Sequence, residues 1–318
     1  MNALYKSVGI SKQSFHRMMD RELKLRSEQQ QLLILIYQIR EDHPTMGARD
    51  MYYKLCPQGM GRDRFEEFCR KEGLKVARVK NWRKTTDSTG VVRFDNLLST
   101  MSLTAINQAW QSDITYFEID GKFYYITFVE DSFSRRILGY SVSRGLTTEQ
   151  TTLPALRMAI RLRKSKKMVI AGVVFHSDGG GQYYDKEFLS LTSKLNIVNS
   201  MCEYPWENGK AERLNGVIKN NYLVHREIKS FEELQKEVDR TVLLYNKEKP
   251  HIELQRKSPD EYEKYYLCNG QQSDGDKSTT ELKTQSPENF SALRAEDNNP
   301  SGSNITRELI TQKMIISE

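Results

Sequence analysis

Three acids in this chain are placed where carboxylates can do chemistry together. Asp113 lies inside the run WQSDITYFEI (110–119). Asp178 ends the apolar run of VVFHSDGGGQYYD (173–185) and is followed at once by Gly179, Gly180 and Gly181. Glu212 lies inside NGKAERLNGVIKNNYL (208–223). A carboxylate at the tip of a buried strand beside a glycine loop suits a metal ion, a sugar or the cap of the next helix. Taken alone, Asp178 leaves all three open. Three carboxylates converging on one point repel one another and raise each other's pKa. A divalent cation relieves that conflict, and Mg²⁺ keeps coordination positions open for phosphate oxygens. Two such ions about 4 Å apart activate a nucleophile and stabilise the leaving oxygen in an in-line displacement at phosphorus.

The elements that must bring these acids together follow from the texture of residues 110–223. WQSDITYFEI and KFYYITFVED read as strands joined at Asp120-Gly121, a two-residue hairpin turn. RRILGYSVS makes a third strand, and Thr147–Lys164 is helical, with Leu153, Leu156, Ala159 and Ile160 at helical spacing. MVIAGVVF (168–175) reads as a buried fourth strand, 186–195 as a helix, IVNSM as a fifth strand and 208–223 as a further helix. Three antiparallel strands followed by alternating helix and strand predict an α/β fold with a mixed five-stranded sheet, in the ribonuclease H-like order. In that order the first and fourth strands are neighbours, so Asp113 and Asp178 face each other and Glu212 reaches them from its helix. Ala211, Leu214, Ile218 and Tyr222 form the face that packs on the sheet. Glu212, Asn215, Gly216 and Lys219 form a polar one, with Asn208 one turn before Glu212. Lys219 and Asn215 are expected at DNA, Lys219 on a phosphate.

The chain has 318 residues and a formal net charge of +6. The distribution matters more than the sum. Arg70, Lys71, Lys75, Arg78, Lys80, Arg83 and Lys84 crowd one stretch whose single acid is Glu72, the electrostatic footprint expected for nucleic acid. The four cysteines are scattered, with no metal-binding or disulfide pattern. The longest apolar run, Leu32–Tyr37, is too short to span a bilayer, so the expectation is a cytoplasmic protein with no membrane partner. Residues 1–45 read as an N-terminal helical region: a short helix after Ser11 resembling part of a helix-turn-helix, then a second over Leu25–Arg40. Residues 46–84 read as two short helices and the basic stretch, a helix-turn-helix-like DNA-binding region. Residues 85–105 read as a linker, 106–266 as the catalytic core with C-terminal helices, and 267–318 as a tail too polar to order itself.

The motifs AWQSDITYF, EDSFSRRILGYSVS, HSDGGGQY and NGKAERLNGVIKNNYL resemble the successive blocks of the retroviral-integrase-type DDE core. YNKEKPHIELQRKSPDEY (245–262) resembles the ending of bacterial insertion-sequence transposases. The stretch from IREDHPTMGARDMYYKL to CRKEGLKV resembles the segment that precedes the core in the IS-three family. The resemblance covers roughly residues 30–265. It implies that Asp113, Asp178 and Glu212 are the catalytic metal ligands, holding Mg²⁺ or Mn²⁺, with two ions expected. Asp131, the rival acid, is expected to be structural or to support the ligands from behind. His176 is expected to be a satisfied strand-end histidine, Trp110 and Trp206 packing residues, and His251 a residue that docks the C-terminal helix.

The activity implied is cleavage of a DNA strand at an element end and attack of the freed 3′ hydroxyl on target DNA, by a homo-oligomer assembled on DNA. The product of an upstream reading frame enters as a further partner, because family members commonly join such a frame to the catalytic one. Two other readings compete. A non-catalytic DNA-binding regulator of transposition would tolerate loss of one of the three acids, and all three are present. A hydrolytic nuclease of the same fold would not need the accessory segments on both sides of the core.

Overall fold

The computed structural model describes residues 9–76, 94–202 and 204–270. The basic residues Arg78, Lys80, Arg83 and Lys84, and the tail from residue 271, lie outside the described residues.

The sheet has the order β3-β2-β1-β4-β5. β1 (Ala109–Ile119) and β2 (Lys122–Asp131) form the long hairpin. Its turn places Asp120 and Gly121 at φ 49° and 75°, the left-handed pair that matches the twist of the flanking strands. β3 (Ile137–Ser143) adds antiparallel to β2, while β4 (Val174–Ser177) and β5 (Val198–Met201) add parallel on the other side. β4 is shorter than the apolar run predicts and begins later. At Gly172 the backbone turns through φ 84°, and its N–H donates to the Asn196 carbonyl at 2.7 Å rather than to a strand.

Helices cover both faces of the sheet. One core joins Trp110, Val129, Leu138 and Phe175 to Leu156 and Ala159 of α4 (Thr152–Ser165) and Phe188 of α5 (Lys186–Lys194). α4 lies so close to β3 that a Cβ at Gly139 would overlap the Ala155 carbonyl oxygen and stand 2.7 Å from the Ala159 nitrogen. The other core joins Ile126, Phe128 and Ile137 to Leu214 and Ile218 of α6 (Gly209–Asn221) and to Leu234, Val238 and Tyr245 of α7 (Phe231–Glu248). The predicted packing face of α6 is buried throughout, Ala211, Leu214, Ile218 and Tyr222 alike.

The N-terminal region differs from expectation in one respect. Where two helices were expected, a single helix α1 runs from Lys12 to Asp42, capped by Ser11, whose hydroxyl accepts from the Ser14 N–H. Only its last third is apolar enough to be buried: Leu32, Ile36 and Ile39 pack with Met51 of α2 (Ala48–Leu55) and Phe65 and Phe68 of α3 (Arg62–Lys71). Polar contacts join this module to the core. His43 Nδ1 and the Tyr222 hydroxyl are 3.0 Å apart, and Lys54 and Arg240 pair with Glu248 and Asp42, each at 2.6 Å.

The last helix, α8 (Pro259–Gly270), is fastened by charge. Glu263, buried, receives Arg163 at 2.6 and 2.9 Å and Arg136 at 2.8 Å. Arg163, itself fully buried, also donates to Asp131 at 3.0 Å.

Candidate active site

β1 and β4 pair in parallel as far as Gln111 opposite His176. Two residues further along the chain from this pair stand Asp113, still within β1, and Asp178, just past the end of β4. Both are half-buried. Glu212, in the first turn of α6, is exposed on the same side, where a helix N-terminus favours negative charge.

Asp113 is gripped on both oxygens. The Ile114 N–H donates to Oδ1 at 2.9 Å and the Asn215 amide to Oδ2 at 2.8 Å. Asp178 is held by the Gly180 N–H, which donates to Oδ1 at 3.1 Å. Burial first, and then the charges of Asp178 and Glu212, push the Asp113 carboxyl up to about 7 despite those two donors. Burial also raises Asp178, outweighing its bond from Gly180. Burial and the charge of Asp178 raise Glu212. The three acids named from the sequence thus share one electrostatic environment. Among the described residues, no three His, Cys, Asp or Glu side chains are gathered closely enough to hold an ion as they stand. The donor set nonetheless fits a hard divalent cation, since it is all carboxylate oxygen and its members already resist ionising together.

Several further residues hold this geometry, of which only Asn208 was singled out by sequence. The Tyr183 hydroxyl lies 2.9 Å from Ser112 Oγ, which donates to the Phe128 carbonyl at 2.8 Å, so a buried ring ties the segment after Asp178 to the residue before Asp113. Asn208 donates to the Ser112 carbonyl at 3.1 Å and accepts from Gln111 at 3.4 Å, and Ser132 donates to Gln111 at 3.0 Å. All three side chains are buried, and they seat the N-terminal end of α6 on β1. Tyr183 and Gln111 do stand in the motif blocks. What marked them was adjacency to the acids, a signal too weak without the pairing. Glu130, fully buried against Arg135 and Lys210, is pushed up to about 7 by burial, which outweighs those cations. No sequence pattern announced it.

The remaining expected residues fall as follows. Asn215 reaches Asp113, as described. Lys219 donates to the Tyr116 carbonyl at 2.9 Å and sits 4.3 Å over that ring. Arg70 and Lys71 lie in the last turn of α3, both paired with Glu67, and Lys75 is exposed beyond it. Asp131 is wholly buried and accepts from the N–H groups of Asn107, Phe133 and Ser134 besides Arg163, a structural anchor. His176 is buried with Nδ1 3.0 Å from Ser200 Oγ, and burial pushes it down to about 4. Trp110 is core, whereas Trp206 is 73% exposed and stacks on Tyr204 at 4.6 Å. His251 packs edge-on against Tyr245 of α7.

The sequence matches mark a polynucleotidyl transferase built on an integrase-type core. Residues 104–204 and, separately, 193–259 match families described as Integrase core domain. An insertion element IS600 uncharacterized 31 kDa protein of Shigella sonnei is 29% identical over 81% of this chain and 97% of its own length. A putative transposase for insertion sequence element IS986/IS6110 of Mycobacterium tuberculosis is 28% identical over 57% and 68%. Transposase InsF for insertion sequence IS3A of Escherichia coli is 31% identical over 42% and 45%. Among solved structures, the HTLV-2 integrase catalytic core domain in complex with magnesium covers 49% of this chain and 95% of its own, at 21% identity and a TM-score of 0.39. The integrase core domain and these relatives support DDE transposase function in the transposition of a bacterial insertion sequence. No helix among the described residues is long and apolar enough to cross a membrane.

Proposed function

We propose that Asp113, Asp178 and Glu212 are the catalytic carboxylates of this transposase and that they hold divalent cations, Mg²⁺ or Mn²⁺, in a two-ion arrangement. The observation that carries this reading is the Asp113 carboxyl, pushed up to about 7 by burial and by the charges of the two other acids. A site that opposes its own ionisation is stabilised by a bound cation. When bound, the ions would activate water or a 3′ hydroxyl and stabilise the leaving oxygen of the phosphodiester.

The chain's own residues do the rest. The Ile114 N–H and Asn215 amide hold both oxygens of Asp113 in one orientation. The Gly180 N–H does the same for Asp178 from a glycine turn that leaves room for a DNA backbone. Asn208 and Gln111 hold the first turn of α6, so Glu212 is presented from a fixed helix end. Element ends and target DNA are the substrates, brought together by a homo-oligomer assembled on DNA. The basic stretch from Arg70 to Lys84, with Lys75, Arg78, Lys80, Arg83 and Lys84 beyond the ion pairs of Arg70 and Lys71, would contribute phosphate contacts, as would Lys219. The setting is the bacterial cytoplasm.

The test is strand cleavage and joining by purified protein on supercoiled DNA carrying the flanking element ends, with Mg²⁺ or Mn²⁺ and a Glu212→Gln control. Cleavage and joining by the wild type alone is the expected result. Equal activity from the variant would remove Glu212 from the site. Cleavage without joining would favour the hydrolytic nuclease, and binding without cleavage the regulator.

A further inference from the structure

A number of the exposed cations described on this surface are neutralised locally. Arg26 pairs with Glu22, Arg49 with Glu66, Arg62 with Asp63, Arg70 and Lys71 with Glu67, Arg144 with Glu232, and Arg240 with Asp42. Helix α4 stands out by the density of its cations and the lack of any acid of its own. Between Thr152 and Lys167 the chain carries six Lys or Arg and no acid. Arg163 turns inward to Asp131 and Glu263, and Lys166 reaches Glu263 at 3.5 Å. The other four, Arg157, Arg161, Lys164 and Lys167, are exposed, and among the described residues none of them forms an ion pair.

Their arrangement is ordered. Arg157, Arg161 and Lys164 are spaced by four and three residues, which places them in one stripe along the solvent face, opposite the face that buries Leu156, Ala159 and Ile160. At 1.5 Å per residue the stripe is about 10 Å long, and Lys167 follows at its end. That length spans about three steps of one DNA strand at 3.4 Å per step. The helix is also tied to the site. Thr148 and Thr152 donate to the Gln182 carbonyl at 3.2 and 3.0 Å, fixing its N-terminal end beside the segment that follows Asp178. The stripe of unpaired cations thus lies along a helix whose N-terminal end is anchored to the segment that follows Asp178.

We propose that the face of α4 formed by Arg157, Arg161, Lys164 and Lys167 binds the phosphate backbone of duplex DNA beside the strand being processed. The inference rests on the reading of this chain as a DNA transposase, and concerns residues other than the carboxylates and the basic stretch at Arg70–Lys84. Contacts of this kind hold and orient the duplex without reading its sequence, so binding here is uniform across sequences and sensitive to salt.

The experiment measures binding of the full chain to a fluorescent duplex of random sequence by anisotropy, across a series of KCl concentrations without divalent metal. The wild type is compared with R157Q/R161Q/K164Q and with R144Q/R240Q, which removes two paired cations elsewhere. Loss of three phosphate contacts lowers the slope of log affinity against log salt by about 2.7, at about 0.9 per contact, equivalent to a roughly 40-fold smaller affinity change between 50 and 200 mM salt. The paired-cation control leaves the slope within about 0.5 of the wild type. A triple variant that keeps the wild-type slope with an unchanged melting temperature overturns the proposal, as does a wild type that binds no duplex. Metal-dependent cleavage is scored separately. A reduced slope with no cleavage by the wild type would leave this surface standing while the catalytic reading fails.

Discussion

Replacing Asp113 by Asn should make the metal-free protein more stable while abolishing its activity. The Asp113 carboxyl moves from 3.8 to about 7, burial being the largest cause and the charges of Asp178 and Glu212 adding to it. A shift of about three units corresponds to a ceiling of about 4 kcal/mol against the ionised form. The side chain is half-buried and faces solvent on one side, so screening reduces this to about 2 kcal/mol. The sign follows from linkage. A carboxyl whose folded pKa lies above its unfolded value binds its proton longer in the folded state, so stability falls as pH rises from about 4 to about 7 and stays lowered beyond. Asparagine keeps the shape, can still accept from Ile114 or Asn215, and carries no charge. Melting the wild type and Asp113→Asn in EDTA should therefore show a gain of about 2 kcal/mol, or about 5 °C, at pH 8, and a smaller gain at pH 5. Mg²⁺ should then raise the melting temperature of the wild type and leave the variant unmoved. A variant less stable than the wild type at pH 8, or a gain as large at pH 5, would refute the reasoning, because it would mean that the carboxylates do not oppose one another in the folded protein.

Other outcomes follow from the packing around the site. Arg163→Met leaves Asp131 and Glu263 buried without their shared cation and should cost about 3–5 kcal/mol in urea unfolding. Glu263 sharpens the pH side of this: burial alone would raise its carboxyl, but the hydrogen bond and charge of Arg163, with Arg136, bring it down to about 2, so its stabilisation is present above about 4.5 and is lost as pH falls toward 2. Gly139→Ala should destabilise by about 3 kcal/mol or more, since the clash is with helix backbone that cannot turn aside; a loss below about 1 kcal/mol in the same assay would show that α4 can move off the sheet.

The sequence by itself determined the order of elements, the hairpin turn at Asp120-Gly121 and the buried face of α6, and it pointed to the three acids as a group. These are local signals: alternation of apolar residues, helical spacing, a turn that only certain residues adopt. The parallel register, which pairs Gln111 with His176 two residues before Asp113 and Asp178, was legible only as a neighbour relation, because parallel pairing depends on residues about 65 apart. Only tertiary structure decided that Asn215 reaches Asp113, that Tyr183 straps the two aspartate segments through Ser112, and that Asp131 is neutralised by Arg163 with Glu263 sharing the same cation. It also decided which basic residues keep an uncompensated charge: Arg70 and Lys71, conspicuous in sequence, are paired with Glu67, while the α4 stripe is not paired among the described residues. Charge along a chain adds up by position, whereas the field at a surface depends on which opposite charges the fold brings within a few ångströms.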